Sequence, residues 1–190
     1  MIFYIMGKSA SGKDTLYKRL MDENLELLPC TIYTTRPKRD GEIEGLEYHF
    51  VDDKYIESHK DKIIEKRVYN TVFGLWTYAT IDDGKVEDNK NYLIIGTLES
   101  YIKIKKYYGN EKVFPIYLEV SDEVRLKRAL KREQNQKVPK YDEMKRRMAA
   151  DDIDFSEDKI INAGINIRYD ANDFNGCVNK VIKDIKAVLN

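Results

Sequence analysis

Residues 7 to 15 combine glycines, hydroxyl side chains and lysine at a spacing suited to holding phosphate. They read Gly-Lys-Ser-Ala-Ser-Gly-Lys-Asp-Thr, with Gly7, Gly12 and Lys13 in the positions of a glycine-bounded phosphate loop. Glycines let backbone N–H groups point inward around an anion, and a lysine reaches the outer phosphates as a point charge. We expect these residues to bind the phosphates of a nucleotide: Gly7, Ser9, Ala10, Ser11, Gly12, Lys13, Asp14 and Thr15.

One position of this loop departs from the usual pattern. Asp14 stands where a phosphate loop usually carries the Ser or Thr that binds Mg²⁺, and Thr15 follows it. A carboxylate beside phosphates repels them unless a cation lies between. Asp14 therefore either helps to hold Mg²⁺ or turns away while Thr15 supplies the oxygen ligand, and the sequence leaves both open.

A second group of charges follows the strand predicted over residues 29–34. Arg36 and Arg39 lie three residues apart on either side of a Pro-Lys pair, and an Asp-Gly turn and Glu42 follow. Two guanidinium forks in this arrangement could bind one phosphate, with Glu42 holding one of them in place. The alternative is a solvated basic loop, because charged runs often just face water.

A third group of charges lies on two predicted helices joined by a polar turn. Arg125, Arg128 and Arg132 are spaced three and four apart, so they share one helix face, and Arg146 and Arg147 lie on the next helix. Such arginines could form a lid that closes over phosphates. The alternative is again a helix face that contacts only solvent.

The elements that must position these residues are indicated by the apolar pattern. Apolar runs alternate with helical spacings, which is typical of an α/β fold with a parallel sheet covered by helices on both faces. The pattern predicts about five parallel strands, at residues 2–6, 29–34, 91–96, 113–120 and 165–169. It predicts helices at residues 14–24, 98–108, 122–134, 141–152 and 174–189. Residues 36–90 break the alternation and predict a small hairpin-rich lobe at the carboxyl edge of the sheet.

Length, charge and cysteine content limit the possible classes of protein. The 190 residues suit one domain, with a core at 1–35 and 91–190, the lobe at about 36–90 and the lid at about 128–147. Lys plus Arg equals Asp plus Glu at 33 each, so bulk charge indicates neither a nucleic-acid coat nor a membrane-surface protein. Two cysteines are too few for a disulfide framework, and the N-terminal apolar run is too short for a signal peptide or a membrane span. We therefore expect a cytoplasmic protein.

The order of these motifs resembles that of the guanylate kinase family, phosphate-loop kinases that act on a nucleoside monophosphate. The most specific match is Thr-Thr-Arg-x-x-Arg-x-Gly-Glu-x-x-Gly-x-x-Tyr-x-Phe, which runs from Thr34 to Phe50, and the general resemblance covers nearly the whole chain. It implies catalytic roles for Lys13, Arg128, Arg132 and Arg147. It also implies an acceptor-binding set made of Arg36, Arg39, Glu42, Tyr48, Glu65, Tyr78 and Thr80.

Within that set, the resemblance implies that the arginines and tyrosines hold the acceptor phosphate, while Glu65 and Thr80 meet the guanine. The segment from Val72 through Gly74 to Thr80 resembles the family's Phe-Gly-Asn-Tyr-Tyr-Gly-Thr run, with one extra residue. Two positions depart from the family pattern. Ile32 replaces a Ser and Gly96 replaces an Asp, both of which usually meet the base. Phosphate binding is therefore better supported by the sequence than guanine recognition.

The activity implied by the resemblance is transfer of the γ-phosphoryl of ATP to GMP, giving GDP and ADP, with Mg²⁺ bound to the donor phosphates. ATP and a nucleoside monophosphate are then the expected partners, without nucleic acid or membrane, and the sequence does not indicate an oligomeric state. A related small-molecule kinase with another nucleotide or a phosphorylated sugar as acceptor is one alternative. A non-catalytic guanylate-kinase-like binding module is the other, and the intact phosphate loop argues against it.

Overall fold

The computed structural model describes residues 1–39, 41–46, 48–71 and 74–189 of the chain. In these ranges a short 3₁₀ turn, Lys60–Lys62, precedes the fifth strand. The helices and strands follow in the order β1 (Ile2–Met6), α1 (Lys13–Asp22), β2 (Leu27–Pro29), β3 (Tyr33–Thr34), β4 (His49–Phe50), α2 (Asp53–Ser58), β5 (Ile63–Thr71), β6 (Gly74–Ile81), β7 (Asn91–Ile95), α3 (Leu98–Tyr108), β8 (Val113–Glu119), α4 (Asp122–Gln134), α5 (Tyr141–Asp154), α6 (Glu157–Asn162), β9 (Arg168–Asp170) and α7 (Phe174–Leu189).

The main sheet has five parallel strands in the order β2-β7-β1-β8-β9, which confirms the expected fold class. All five residues of β1 are buried, because both faces of the sheet are covered. Side chains alternate along a strand, so β1 supplies two cores. Phe3 and Ile5 pack with α1 and α7 on one face, whereas Tyr4 and Met6 pack with α3 and α6 on the other.

A second, mixed sheet has the order β4-β3-β6-β5, and three of its strands, β4, β5 and β6, fall within residues 36–90. The long β5–β6 hairpin is antiparallel, and β3 joins it to the short strand β4. The single strand predicted over 29–34 is wrong. The chain pairs with β7 only as far as Pro29, and Tyr33 and Thr34 then pair in the second sheet. One further hydrogen bond, from Cys30 N–H to the carbonyl oxygen of Leu93 at 3.1 Å, follows before the chain crosses to the second sheet.

The helices that carry the charged residues lie close to their predicted positions. The predicted bounds of α3, α4 and α7 coincide with the observed ones, and α5 extends two residues beyond its prediction, to Asp154. The helices α2 and α6 have six residues each and were not predicted, because so short a helix shows almost no periodicity. Within the described ranges, no helix combines the length and the apolar character needed to cross a bilayer.

Candidate active site

The phosphate loop connects the carboxyl end of β1 to the first turn of α1. Gly12 is the N-cap of α1 with a φ of 103°, and Gly7 has a φ of 153°. A Cβ at Gly12 would lie 2.9 Å from the ring of Phe174, and one at Gly7 would lie 2.7 Å from the carbonyl oxygen of Leu118. Both positions therefore require glycine, and the turn brings the loop around the positive end of α1.

Lys13 is the first residue of α1, and its side chain folds back into the loop. Its Nζ donates to the carbonyl oxygens of Gly7, at 2.8 Å, and Lys8, at 3.2 Å. Burial lowers the pKa of Lys13, and the positive charge of Arg132 adds to this effect while Asp14 opposes it. The amine is thus held in a desolvated position where an added negative charge would stabilise it.

Asp14 and Thr15 occupy the first turn of α1, and both are exposed. Mg²⁺ is usually bound through one or two protein oxygens together with substrate phosphates and water, so this pair fits its requirements without a closed cage of ligands. Within the described ranges, no group of three or more His, Cys, Asp or Glu side chains is placed to hold a metal ion. The hydroxyl of Ser11 is buried in the loop and has no hydrogen-bond partner in the part of the chain that the structure describes.

Two of the predicted lid arginines approach the phosphate loop from α4. Arg128 donates to the carbonyl oxygen of Ser11 at 3.4 Å and to that of Ala171 at 2.8 Å, so it braces the loop against the segment after β9. Arg132 is exposed, and its charge acts on Lys13.

The third predicted lid arginine lies on α5 and is held by carboxylates. Arg147 Nη2 lies 3.8 Å from Glu133 Oε1, and its Nε lies 3.8 Å from Glu143 Oε1. Glu133 is almost fully buried and also accepts the backbone N–H of Lys140 at 3.0 Å, which joins the end of α4 to the start of α5. Glu133 was not singled out from the sequence, because its burial depends on how α4 and α5 pack.

Arg125 shares a face of α4 with Arg128 and Arg132, but it is buried against the phosphate loop. It is 1% exposed, and its Nε donates to the carbonyl oxygen of Ser9 at 3.2 Å. The expectation of a third lid arginine on α4 is therefore wrong for this residue, which lies behind the phosphate loop.

The expected acceptor cluster is built around Arg36, which is 3% exposed. Its Nη2 donates to Glu42 Oε1 at 2.6 Å, and the other oxygen of Glu42 accepts the backbone N–H of Arg39 at 2.7 Å. Burial opposes the charge of Arg36, but Glu42 and the Tyr78 hydroxyl outweigh it and raise the pKa of Arg36. Glu42 thus fixes both ends of the arginine segment, while the side chain of Arg39 is exposed.

Two tyrosines complete this cluster. The Arg36 guanidinium lies 5.2 Å from the ring centre of Tyr48, and the Tyr48 and Tyr78 rings are 5.6 Å apart. Burial, followed by the neighbouring Tyr78, raises the pKa of Tyr48 to about 12, so its hydroxyl stays protonated and able to donate at neutral pH. The charge of Asp14 also contributes to raising the pKa of Tyr48.

Glu65 and Thr80 face each other across the β5–β6 hairpin. The Glu65 side chain is fully buried and accepts from Thr80 Oγ1 at 3.2 Å. Arg67 donates to both oxygens of Glu65, from Nε at 3.1 Å and from Nη2 at 3.2 Å, and reaches Thr97 Oγ1 at 3.3 Å. Arg67 was missed in the sequence, although residues two apart on a strand share a face and would have indicated the pairing.

Of the two departures from the family pattern, Ile32 is buried and Gly96 is partly buried. Ile32 is 8% exposed, and a Cβ at Gly96 would lie 1.8 Å from the hydroxyl of Tyr4. That hydroxyl is buried with no hydrogen bond in the described ranges, although Ser100 and Arg67 are near enough to act on its pKa. Tyr4 therefore fills the space that a side chain at Gly96 would need. Val72 and Phe73, which the resemblance included, lie outside the described residues.

Comparison with known proteins links this arrangement to one family. A family model described as guanylate kinase matches residues 2–165. The guanylate kinase of Zymomonas mobilis is 44% identical over 52 residues, which are 27% of this chain and 24% of that protein. The guanylate kinase of Neisseria gonorrhoeae is 39% identical over 85 residues, which are 44% of this chain and 40% of that protein. The aligned segments thus span less than half the length of these two relatives.

A comparison of folds gives the same family name. The crystal structure of guanylate kinase from Anaplasma phagocytophilum matches 98% of this chain and 85% of that chain, with a TM-score of 0.69 and 18% sequence identity. At this identity the match establishes the fold, and the roles of individual side chains rest on their own geometry.

Proposed function

The chain belongs to the guanylate kinase family, and on that premise we propose that it transfers the γ-phosphoryl group of ATP to GMP, giving ADP and GDP. The proposal is supported by two clusters suited to binding phosphate, the phosphate loop with Lys13 and the cluster around Arg36. The charge of Asp14, in the loop, also acts on Tyr48, in the second cluster. Phosphoryl transfer needs two phosphates brought in line and cations around them.

The donor side would hold the phosphates of ATP. The amides of the loop and of the first turn of α1 offer N–H groups to the β- and γ-phosphates, and Lys13 exchanges its carbonyl partners for phosphate oxygens. Asp14 and Thr15 would hold Mg²⁺, which supplies charge neutralisation at the donor phosphates. This proposal is compatible with either Asp14 or Thr15 as the ligand of Mg²⁺.

The acceptor side would hold the phosphate of GMP. Arg36 and Arg39 offer charge-assisted donors, and Tyr48 and Tyr78 offer hydroxyl groups. Glu42 keeps Arg36 in place rather than contacting the ligand, because both of its oxygens already accept hydrogen bonds. A pre-placed guanidinium loses little freedom when phosphate binds.

The lid arginines would act on the group in transfer. Arg132 and Arg147 lie on the two helices that close over the phosphates, and charge spread over the equatorial oxygens is stabilised by cations that reach them in the transition state. Closure also excludes water, so the acceptor rather than solvent receives the phosphoryl group. We assign no protein base to the reaction.

The base of the acceptor would meet Glu65 and Thr80. Arg67 uses both oxygens of Glu65, and Ile32 offers no hydrogen bond, so fewer free polar groups face the base than the motif alone implies. Sites discriminate sharply when the wrong ligand leaves buried polar groups unpaired. We therefore propose that GMP is the best acceptor, with a weaker preference over dGMP, IMP or AMP than the family motif implies.

A coupled assay that offers ATP and Mg²⁺ with a panel of acceptors tests the proposal. The panel consists of GMP, dGMP, IMP, AMP and a ribose bisphosphate, and Lys13→Ala is the inactive control. Turnover of GMP above all others supports the proposal. Turnover of the sugar phosphate without turnover of GMP would favour the alternative kinase, and ATP binding without any turnover would favour a binding module.

The proposed substrates, ATP and GMP, belong to the cytoplasm, and we propose that the protein is located there.

A further inference from the structure

A cluster of charged side chains on α4 and α5 contacts the phosphate loop. At its centre is Arg125, which is 1% exposed although it carries a full charge. Its Nη1 lies 2.5 Å from Asp122 Oδ1, and its Nη2 lies 3.1 Å from Asp151 Oδ2. Asp152 is 3.6 Å from Arg125 and 2.7 Å from Lys8. A buried arginine is retained only where such partners compensate its charge.

Two residues of this cluster, Arg125 and Asp151, hydrogen-bond to the backbone of one loop residue, Ser9. Asp151 Oδ2 accepts the backbone N–H of Ser9 at 2.7 Å, and Arg125 Nε donates to the carbonyl oxygen of the same residue at 3.2 Å. Both backbone groups of Ser9 are therefore bonded to an ion pair whose members also bond each other. Ala10, the next residue, has a φ of 63°, a conformation that a non-glycine residue adopts only where its surroundings impose it.

The hydrogen bond from Ser9 to Asp151 also connects the loop to α5, the helix that carries Arg147. Asp151 and Arg147 are four residues apart on α5, so they share one face of that helix. The carboxyl-terminal part of α5 is thus fixed at the phosphate loop, while Arg147 lies one turn closer to the amino end of the same helix.

The two charges act on the loop mainly through geometry. Asp151 favours the charged form of Lys13 and Arg125 disfavours it, so their electrostatic effects on the amine oppose each other. The two hydrogen bonds to Ser9, in contrast, both restrain its backbone, so their effects on the shape of the loop do not cancel.

We propose that Arg125 and Asp151 are positioning residues that hold the phosphate loop in its binding shape and anchor the lid helix α5 to it. This inference rests on the proposed function only in taking ATP as the ligand of the loop. Neither residue contacts the phosphates. Their removal weakens donor binding and lid closure while acceptor binding stays unchanged.

The test compares Asp151→Ala with Asp152→Ala in the full chain. Both variants remove one negative charge from the cluster, but only the first removes the hydrogen bond to Ser9. Affinity for ATP with Mg²⁺, measured by titration calorimetry without acceptor, should fall about tenfold or more in Asp151→Ala, because a charge-assisted bond to a backbone N–H is lost. It should change less than about threefold in Asp152→Ala. Asp151→Asn keeps an acceptor for Ser9 and should recover part of the loss.

Steady-state kinetics then separate positioning from general damage. The KM for ATP should rise and kcat should fall in Asp151→Ala, with the acceptor KM unchanged. Equal loss of ATP affinity in the two alanine variants, or a matching rise in the acceptor KM, would overturn the inference. If Asp151→Ala does not fold, Arg125→Lys carries the same test, since it keeps the charge but cannot bond Ser9 and Asp151 together. If wild-type protein binds ATP but does not phosphorylate GMP, the proposed function fails, and the affinity comparison still decides this inference.

Discussion

Arg67→Ala would leave the buried carboxylate of Glu65 without its cation. The Glu65 side chain is 0% exposed and that of Arg67 is 10% exposed, so water can replace little of the lost interaction. Three hydrogen bonds disappear, two to Glu65 and one to Thr97, and among the described residues the carboxylate keeps the hydroxyl of Thr80. Removing one member of a buried ion pair costs about 3 to 5 kcal/mol of folding free energy.

The assay is unfolding by urea and by heat at neutral pH. At roughly 2 to 4 °C per kcal/mol for a chain of this size, the melting temperature should fall by about 6 to 20 °C. Lys103→Ala is the matched control, because the Lys103–Glu99 pair is exposed at 41% and 65%. Exposed pairs contribute at most about 1 kcal/mol.

A second variant separates the lost pair from lost packing. Arg67→Met combined with Glu65→Gln removes both charges and keeps the volumes, so it should recover most of the stability. A loss below about 1 kcal/mol in Arg67→Ala, equal to that of the lysine control, would refute the argument that Glu65 depends on Arg67. Failure of the double variant to recover would instead attribute the loss to packing of the β5–β6 hairpin.

Further predictions concern the site and its surroundings. Lys13→Ala should abolish turnover and the thermal stabilisation by ATP. The melting temperature of the unliganded protein should not fall, because burial lowers the pKa of Lys13 and its charge therefore opposes folding at neutral pH. Arg36→Ala should raise the acceptor KM about 10- to 100-fold and leave the calorimetric affinity for ATP unchanged; a loss of ATP affinity would mean that the two phosphate sites are exchanged. Arg147→Ala should lower kcat more than it raises either KM, and an unchanged kcat would contradict a role for Arg147 in the transition state. Gly96→Ala should destabilise the fold, because its Cβ would lie 1.8 Å from the Tyr4 hydroxyl. Adding Tyr4→Phe should relieve only part of this clash, since the ring carbon would remain at 2.7 Å. Full stability of Gly96→Ala would show that β1 can shift.

Most of the architecture could be predicted from local patterns in the sequence. The strand β1 and the helices α3, α4 and α7 begin and end where apolar periodicity and capping residues indicate. Gly7 and Gly12 could be interpreted without a structure because the backbone turn of a phosphate loop is itself a local property. The split of the strand predicted at 29–34 was not visible, since the two halves pair with strands that lie far along the chain.

The partners of the buried charges depended on tertiary structure. Arg125, Arg128 and Arg132 have the same helical spacing, yet packing against the loop buries the first, bonds the second to Ser11 and Ala171, and leaves the third exposed. The partners of Arg125 lie 26 residues away at Asp151 and 116 residues away at Ser9. Sequence spacing determines which side chains share a face, because that follows from the geometry of one helix or strand. Which of them lose water and gain an opposite charge depends on the elements that pack against that face, and only the folded chain decides it.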